Sequence, residues 1–119
     1  MTVVNCTAKD NARVGANNYA FYSVIANVVR NCIADSPDAQ SFNAAVVHDH
    51  NSWDSGKTVS DADYLSVDFT NNIGARQSDG SLPASDFLKL APGSDLIDAG
   101  VDVGLSFNGT APDMGAYES

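Results

Sequence analysis

The run Val3-Val4-Asn5-Cys6-Thr7-Ala8-Lys9-Asp10 returns as Val29-Arg30-Asn31-Cys32-Ile33-Ala34-Asp35, which sets Asn5 over Asn31 and Cys6 over Cys32 at a separation of 26. A weaker third copy, Val46-Val47-His48-Asp49-His50-Asn51-Ser52-Trp53, places Asn51 20 residues beyond Asn31. Short β-branched runs recurring every ~20 to 30 residues mark a solenoid, in which each coil buries its apolar face on the next. The runs Thr2 to Val4, Tyr19 to Ile25, Val28 to Val29 and Ala44 to Val47 read as strands. Asn17-Asn18 and Asp35-Ser-Pro-Asp38 read as the turns between them. No stretch holds a sustained 3.6-residue apolar period, so helix is at most a minor component. Asparagines stacked at one corner of successive coils would form an amide ladder. Asn5, Asn31 and Asn51 are the candidates. Cys6 and Cys32 share a position on neighbouring coils, within Cα range of a disulfide. Parallel stacked side chains make poor bridge geometry, and buried thiols are the favoured alternative.

The chain has 119 residues, which is room for one domain. Fifteen acidic against six basic residues give a net charge of −9, which repels phosphate backbones and anionic membranes. No nucleic acid and no membrane partner is expected. The first ten residues lack the basic segment and apolar run of a signal peptide, and no stretch approaches the length of a membrane span.

From Asp79 onward the chain contains Asp79-Gly-Ser-Leu-Pro83, Phe87-Leu-Lys-Leu-Ala91, Gly93-Ser-Asp-Leu-Ile-Asp-Ala-Gly100, Asp102-Val-Gly104 and Ala111-Pro-Asp-Met-Gly-Ala-Tyr-Glu118. In this order and spacing, the words resemble the C-terminal end of the pectate lyases of polysaccharide lyase family 9. Asn51-Ser-Trp53 followed by Thr58-Val-Ser-Asp-Ala-Asp63-Tyr64 resembles the segment by which that family leaves its last regular coils. The resemblance implies an all-β, right-handed parallel β-helix, with about three coils in 1–53 and a loop-rich tail in 54–119 packed along them. A short helix is expected near 61–67, with Ser60-Asp61-Ala62-Asp63 capping Tyr64 to Val67. Phe69, Ile73, Leu82, Phe87, Leu88, Leu90, Leu96 and Ile97 are the expected packing face of the tail.

The resemblance also implies an extracellular origin and a parent activity of calcium-assisted β-elimination of polygalacturonate. Such chemistry needs calcium to neutralise the substrate carboxylate and a lysine or arginine to take the adjacent proton. In the family these motifs precede the matched segment. No catalytic residue and no metal ligand is carried over, and the chain alone is expected to be inactive.

Lys9, Arg13 and Arg30 are the candidates for binding an acidic polysaccharide, against the alternative that they are surface charges beside Asp10 and Asp35. His48 and His50, two apart on a strand, are weighed as metal ligands against an exposed pair. Trp53 is read as a plug over the coil core, with sugar stacking as the alternative. Asp35 with Asp38 and Asp61 with Asp63 read as turn and cap residues rather than a calcium loop. The sequons at Asn5 and Asn108 read as coincidental. Two other functions stay open: a non-catalytic carbohydrate-binding module, and a structural module that self-associates as a homodimer through the exposed N-terminal coil.

Overall fold

The computed structural model describes residues 1–9, 19–21, 26–35, 40–42 and 45–119, with 19–21 and 40–42 described by their backbone pairing. Among the described residues, seven short strands wind into a right-handed parallel β-helix. The first coil carries β1 (Thr2–Val4), β2 (Thr7–Lys9) and β3 (Tyr19–Phe21). The second carries β4 (Asn27–Arg30), β5 (Ile33–Asp35) and β6 (Gln40–Phe42), and the third begins with β7 (Val46–Asp49). These strands pair in parallel, in the orders β1-β4-β7, β2-β5 and β3-β6.

Between the first and second coils the register is the one the repeat implies, with Val3 on Val29 and Thr7 on Ile33. The third coil differs from expectation by one residue. Val47 pairs with Val28 and Asp49 with Arg30, so the residue over Asn31 is His50 and not Asn51. The backbone shows the same correspondence. Asn5, Asn31 and His50 have φ of 51°, 54° and 53°, the left-handed conformation that turns each coil from one sheet to the next and that asparagine tolerates well. The strands at Thr7–Lys9 and Ile33–Asp35 lie just beyond these corners.

The amide ladder among the described residues therefore has two rungs, Asn5 and Asn31. Asn31 Nδ2 donates to Asn5 Oδ1 at 3.0 Å. Asn51 does something else: its Oδ1 accepts from Cys32 N at 2.9 Å and its Nδ2 donates to Val29 O at 2.9 Å. A side-chain amide thus bonds the second coil as the peptide group of another strand would. Ser52 continues this arrangement, donating its N to Cys32 O and accepting from Ala34 N on its Oγ.

Two apolar clusters follow from this winding. Val29, Cys32 and Val46 fill the coil interior, with Val3, Cys6 and Trp53 packed against them; Trp53 is the expected plug. Cys6 and Cys32 are thiols, each donating to the carbonyl two residues back, Val4 O at 3.2 Å and Arg30 O at 3.3 Å. The second cluster joins Ile33 to Tyr64, Leu90, Leu96 and Met114 of the tail. Full burial of side chains such as Leu96 and Met114 stabilises the docked tail by about 1.5 to 3 kcal/mol each. Leu90 and Leu96 are core as expected, and Leu88 and Ile97 pack partly against them. Phe69, Ile73 and Leu82 are instead exposed. They lie in a segment whose backbone turns on itself through local bonds, such as Ile73 N to Thr70 O and Gln77 N to Ser81 O.

Among the described residues, helix is confined to single 3-10 turns at Asp61–Asp63 and Phe69–Asn72. Ser60 and Asp63 form a capping box around the first, but it does not continue through 64–67. Tyr64 is drawn into an antiparallel bridge with Leu90, and Ser66 pairs with Phe87.

The tail is seated by backbone approach. Gly100 N donates to Pro112 O, Met114 N to Leu96 O, Gly115 N to Asn31 O, and Ala116 N to Thr7 Oγ1. A Cβ on Gly115 would sit 2.6 Å from both Ile33 Cδ1 and Thr7 Oγ1, which is why this position, at φ 98°, is glycine. The buried Asp113 carboxylate accepts from Asp98 N at 2.8 Å and Ser119 N at 2.7 Å. Asp98 in turn accepts from Thr110 N and Ala111 N.

Two outcomes are expected. Asn31→Ala strands the backbone of Val101 and the carboxamide of Asn5, and should lower unfolding free energy by about 2 to 4 kcal/mol in urea titration. Asp98 is held below the ordinary carboxyl value of 3.8 by the backbone donors of Ala111 and Thr110. A depressed folded-state pKa adds stability above the unfolded value and loses it as pH falls through the folded one. The stability gap between wild type and Asp98→Asn should therefore be open at pH 6 and close below pH 3.8, read by thermal melts across pH.

Candidate functional site

Lys9 and Asp35 are direct partners across β2 and β5, so their side chains leave the sheet together. Lys9 Nζ donates to Asp35 Oδ2 at 2.8 Å and to Asp61 Oδ1 at 2.7 Å, and lies 5.9 Å from the centre of the Tyr64 ring. The lysine side chain is 14% exposed. Burial, and then the Asp35 charge, push the Tyr64 hydroxyl well above the usual phenol value, which keeps it protonated. This cluster ties first coil, second coil and tail together. Its ammonium is committed to two carboxylates and turned away from solvent.

Arg30 sits differently. Its cross-strand partner on β7 is Asp49, and the two form a forked pair: Nε to Oδ1 at 2.9 Å and Nη2 to Oδ2 at 2.9 Å. His50 Nδ1 lies 3.0 Å from Asp49 Oδ1. Burial raises the Asp49 carboxyl, but the hydrogen bonds from Arg30 and His50 outweigh it and the net shift is downward. The side chains of Arg30, Asp49 and His50 are 40%, 36% and 48% exposed, and Arg30 Nη1 makes no hydrogen bond among the described residues. The outer face of β4 and β7 thus offers a positioned guanidinium edge to an anionic ligand, the planar geometry suited to a carboxylate.

His48 and His50 do not act together, because the corner after Asp49 separates them. His48 Nδ1 contacts Asp54 Oδ1 at 2.6 Å, while Asp54 Oδ2 accepts from Asn51 at 2.7 Å. Each imidazole has its own carboxylate. Arg13 and Asp38 lie outside the described residues. Lys57 pairs with Asp95 at 3.6 Å, Lys89 with Asp86 at 3.1 Å, and Arg76 donates to Gly80 O.

No three His, Cys, Asp or Glu side chains among the described residues converge to hold a metal ion. The carboxylates that might do so are taken by protein donors: Asp35 and Asp61 by Lys9, Asp63 by Ser60 and Ser94, Asp98 and Asp113 by backbone amides. A calcium ion needs about six to eight oxygen ligands, and the described residues do not fit it. Among the described residues no helix is long and apolar enough to cross a membrane. Arg30 was visible in the sequence as a charge. Its partner was hidden by the one-residue shift of the third coil, which placed Asp49 elsewhere.

No protein-family model matches the chain. It is 34% identical over 123 residues to pectate lyase L of Dickeya dadantii, an alignment covering 99% of this chain and 28% of that protein. Pectate lyase L of Dickeya chrysanthemi is 35% identical with the same coverage. Pectate lyase PEL9 of Emericella nidulans is 33% identical over 91 residues, or 76% of this chain and 22% of that protein. The crystal structure of pectate lyase Pel9A matches the fold with a TM-score of 0.80 at 32% identity, over 98% of this chain and 29% of that one. The chain spans less than a third of the length of these relatives. In sequence and fold the chain is a right-handed parallel β-helix similar to the pectate lyases of polysaccharide lyase family 9.

Proposed function

We propose that the chain forms the C-terminal coils and tail of an extracellular pectate lyase-like β-helix, and that its role is to frame the polysaccharide rather than to carry out the elimination. The observation that carries the reading is the match along 99% of the chain to pectate lyase L. The parent reaction removes the proton next to a uronate carboxylate with calcium neutralising that carboxylate. With Lys9 held by two aspartates and the described carboxylates engaged elsewhere, the elimination belongs to coils outside this segment.

Within the segment, Arg30 is the proposed uronate contact. Its forked pair with Asp49 fixes the guanidinium plane and leaves Nη1 without a hydrogen bond among the described residues. Arg13, outside the described residues, is proposed as a second contact. Lys9 is proposed to contribute to assembly of coils and tail, not to binding. A net charge of −9 opposes approach of a polyuronate, so binding should need calcium supplied with the glycan to bridge carboxylates. A second reading, a structural module that pairs with its own copy, is favoured by β1 being an edge strand, with β4 its one strand neighbour among the described residues.

The test is to incubate the chain with polygalacturonate and calcium and follow the ultraviolet absorbance of the 4,5-unsaturated product, with retention on immobilised polygalacturonate measured in parallel. No product and calcium-dependent retention are expected, with Arg30→Ala weakening retention about tenfold, or ~1.4 kcal/mol. Lys9→Met should lower the melting temperature and leave retention of the folded protein unchanged. Product formed in the presence of calcium and abolished by chelation would refute the proposal that the elimination lies elsewhere, and concentration-dependent association without retention would favour the structural reading.

A further inference from the structure

The outer side of β4 and β7 carries Val28 and Arg30 beside Val47 and Asp49, with Val4 of β1 paired to Arg30 on its other side. The valines are uncharged. The ionisable groups of this face among the described residues are therefore the Arg30–Asp49 pair and the corner residue that follows it. His50 reaches back through Nδ1 to Asp49 Oδ1 at 3.0 Å, the same oxygen that accepts from Arg30 Nε at 2.9 Å. Asp49 thus stands between two nitrogen groups. Arg30 Nη1 and His50 Nε2 make no hydrogen bond among the described residues, and both side chains are exposed. The other charges nearby have partners of their own. His48, on the same strand, meets Asp54 Oδ1. Below the corner, Asn31 is bonded to Val101 and Gly115, of which neither is charged, and the next carboxylate on the tail, Asp102, accepts from Gly104 N.

The charge of this cluster depends on one proton. A guanidinium keeps its charge throughout. Burial raises the Asp49 carboxyl, but the hydrogen bonds from Arg30 and His50 hold it below the ordinary carboxyl value, so the two charges cancel. Imidazole is the side chain whose ordinary titration falls between about pH 5 and 8. With Nδ1–H donating to Asp49, the proton is taken up at Nε2. The cluster then holds one net positive charge and a second N–H donor beside the guanidinium. We propose that His50 is the proton-controlled half of the Arg30 site, its imidazolium joining the guanidinium to bind the carboxylate of an acidic sugar. The proposal rests on the reading of Arg30 as a uronate contact. With neutral His50, an anionic ligand meets a cancelled pair on a chain of net charge −9. The imidazolium reverses that sign locally. Binding that favours the protonated form raises the proton affinity of His50 by the same factor, so affinity rises as pH falls through the imidazole range and levels off below it. For solvent-exposed charges the gain is about two- to fivefold.

The test has two readouts. The first follows the ring signals of His50 by nuclear magnetic resonance across pH, with galacturonate or its uncharged methyl ester added. Galacturonate should move the His50 titration to higher pH, and the ester should not. The second measures retention on immobilised polygalacturonate at constant calcium and ionic strength, where a rise of about two- to fivefold is expected from pH 7.5 to 5.5. The chain has two histidines, so each is replaced in turn. His50→Asn should abolish the rise, and it keeps the corner, because asparagine holds the same left-handed conformation at Asn5 and Asn31. His48→Gln should preserve the rise. A His50 titration indifferent to galacturonate, or a rise that survives His50→Asn, would overturn the proposal. Retention that does not change with pH, with His50 silent, would leave Arg30 as the uronate contact and remove His50 from the site. No retention at any pH, with the His50 titration still moved by galacturonate, would refute the polysaccharide reading and leave the proton-linked carboxylate site standing.

Discussion

The carboxamide of Asn31 is the contact on which coil and tail both depend. It is fully buried, and it meets Asn5 Oδ1 in the first coil while exchanging two hydrogen bonds with the backbone of Val101, 70 residues further along. Its own carbonyl receives Gly115 N. A residue that turns the chain in a left-handed conformation thereby also holds the returning tail. Few side chains can do both. The corner requires a residue that tolerates positive φ, and the tail requires an amide with a donor and an acceptor side by side. Gly100 marks the tightness of the fit, since a Cβ there would approach the Asn31 carboxamide to 2.9 Å.

Around that contact the charged groups divide by exposure. Lys9 is enclosed between coils and tail, where two aspartates and an aromatic ring compensate the cost of removing an ammonium from water. Arg30 and Asp49 stay near the surface, where the pair contributes modestly to stability but fixes the direction of the guanidinium. A basic–acidic pair thus ties coils and tail together in one place and stays at the surface in another. Their difference lies in which sheet they leave: β2 and β5 face the tail, and the outer side of β4 and β7 does not.

Much of the winding was legible because the first two coils repeat the same residues at the same positions: Val, Asn, Cys and Ala recur with an offset of 26, and the register follows it. The third coil was misread by one position because its corner is His50, while the neighbouring Asn51 imitates the expected signal. Asparagine is used here in two ways, as a corner and as a stand-in for a missing strand, and composition does not distinguish them. β2 and β5 are three residues long and alternate too briefly to stand out. In the tail, Leu90 and Leu96 were recognisable as core, but Phe69, Ile73 and Leu82 are equally apolar and lie exposed. Lys9 was visible as a cation near Asp35. Its other carboxylate, Asp61, is 52 residues away, and only the folded path of the tail brings it there.

The bond from Ala116 N to Thr7 Oγ1 spans 109 residues. Its acceptor is placed by pairing of the first two coils, and its donor arrives only after the whole tail has been laid over Ile33. Contacts of such separation form late, because the loop they close must first be shortened by everything between. The coils therefore serve as the template on which the tail condenses. The Met114-Gly115-Ala116 segment, close to the carboxyl end of the chain, is where folding would be completed: until it is seated, the apolar side of Ile33 remains open to water.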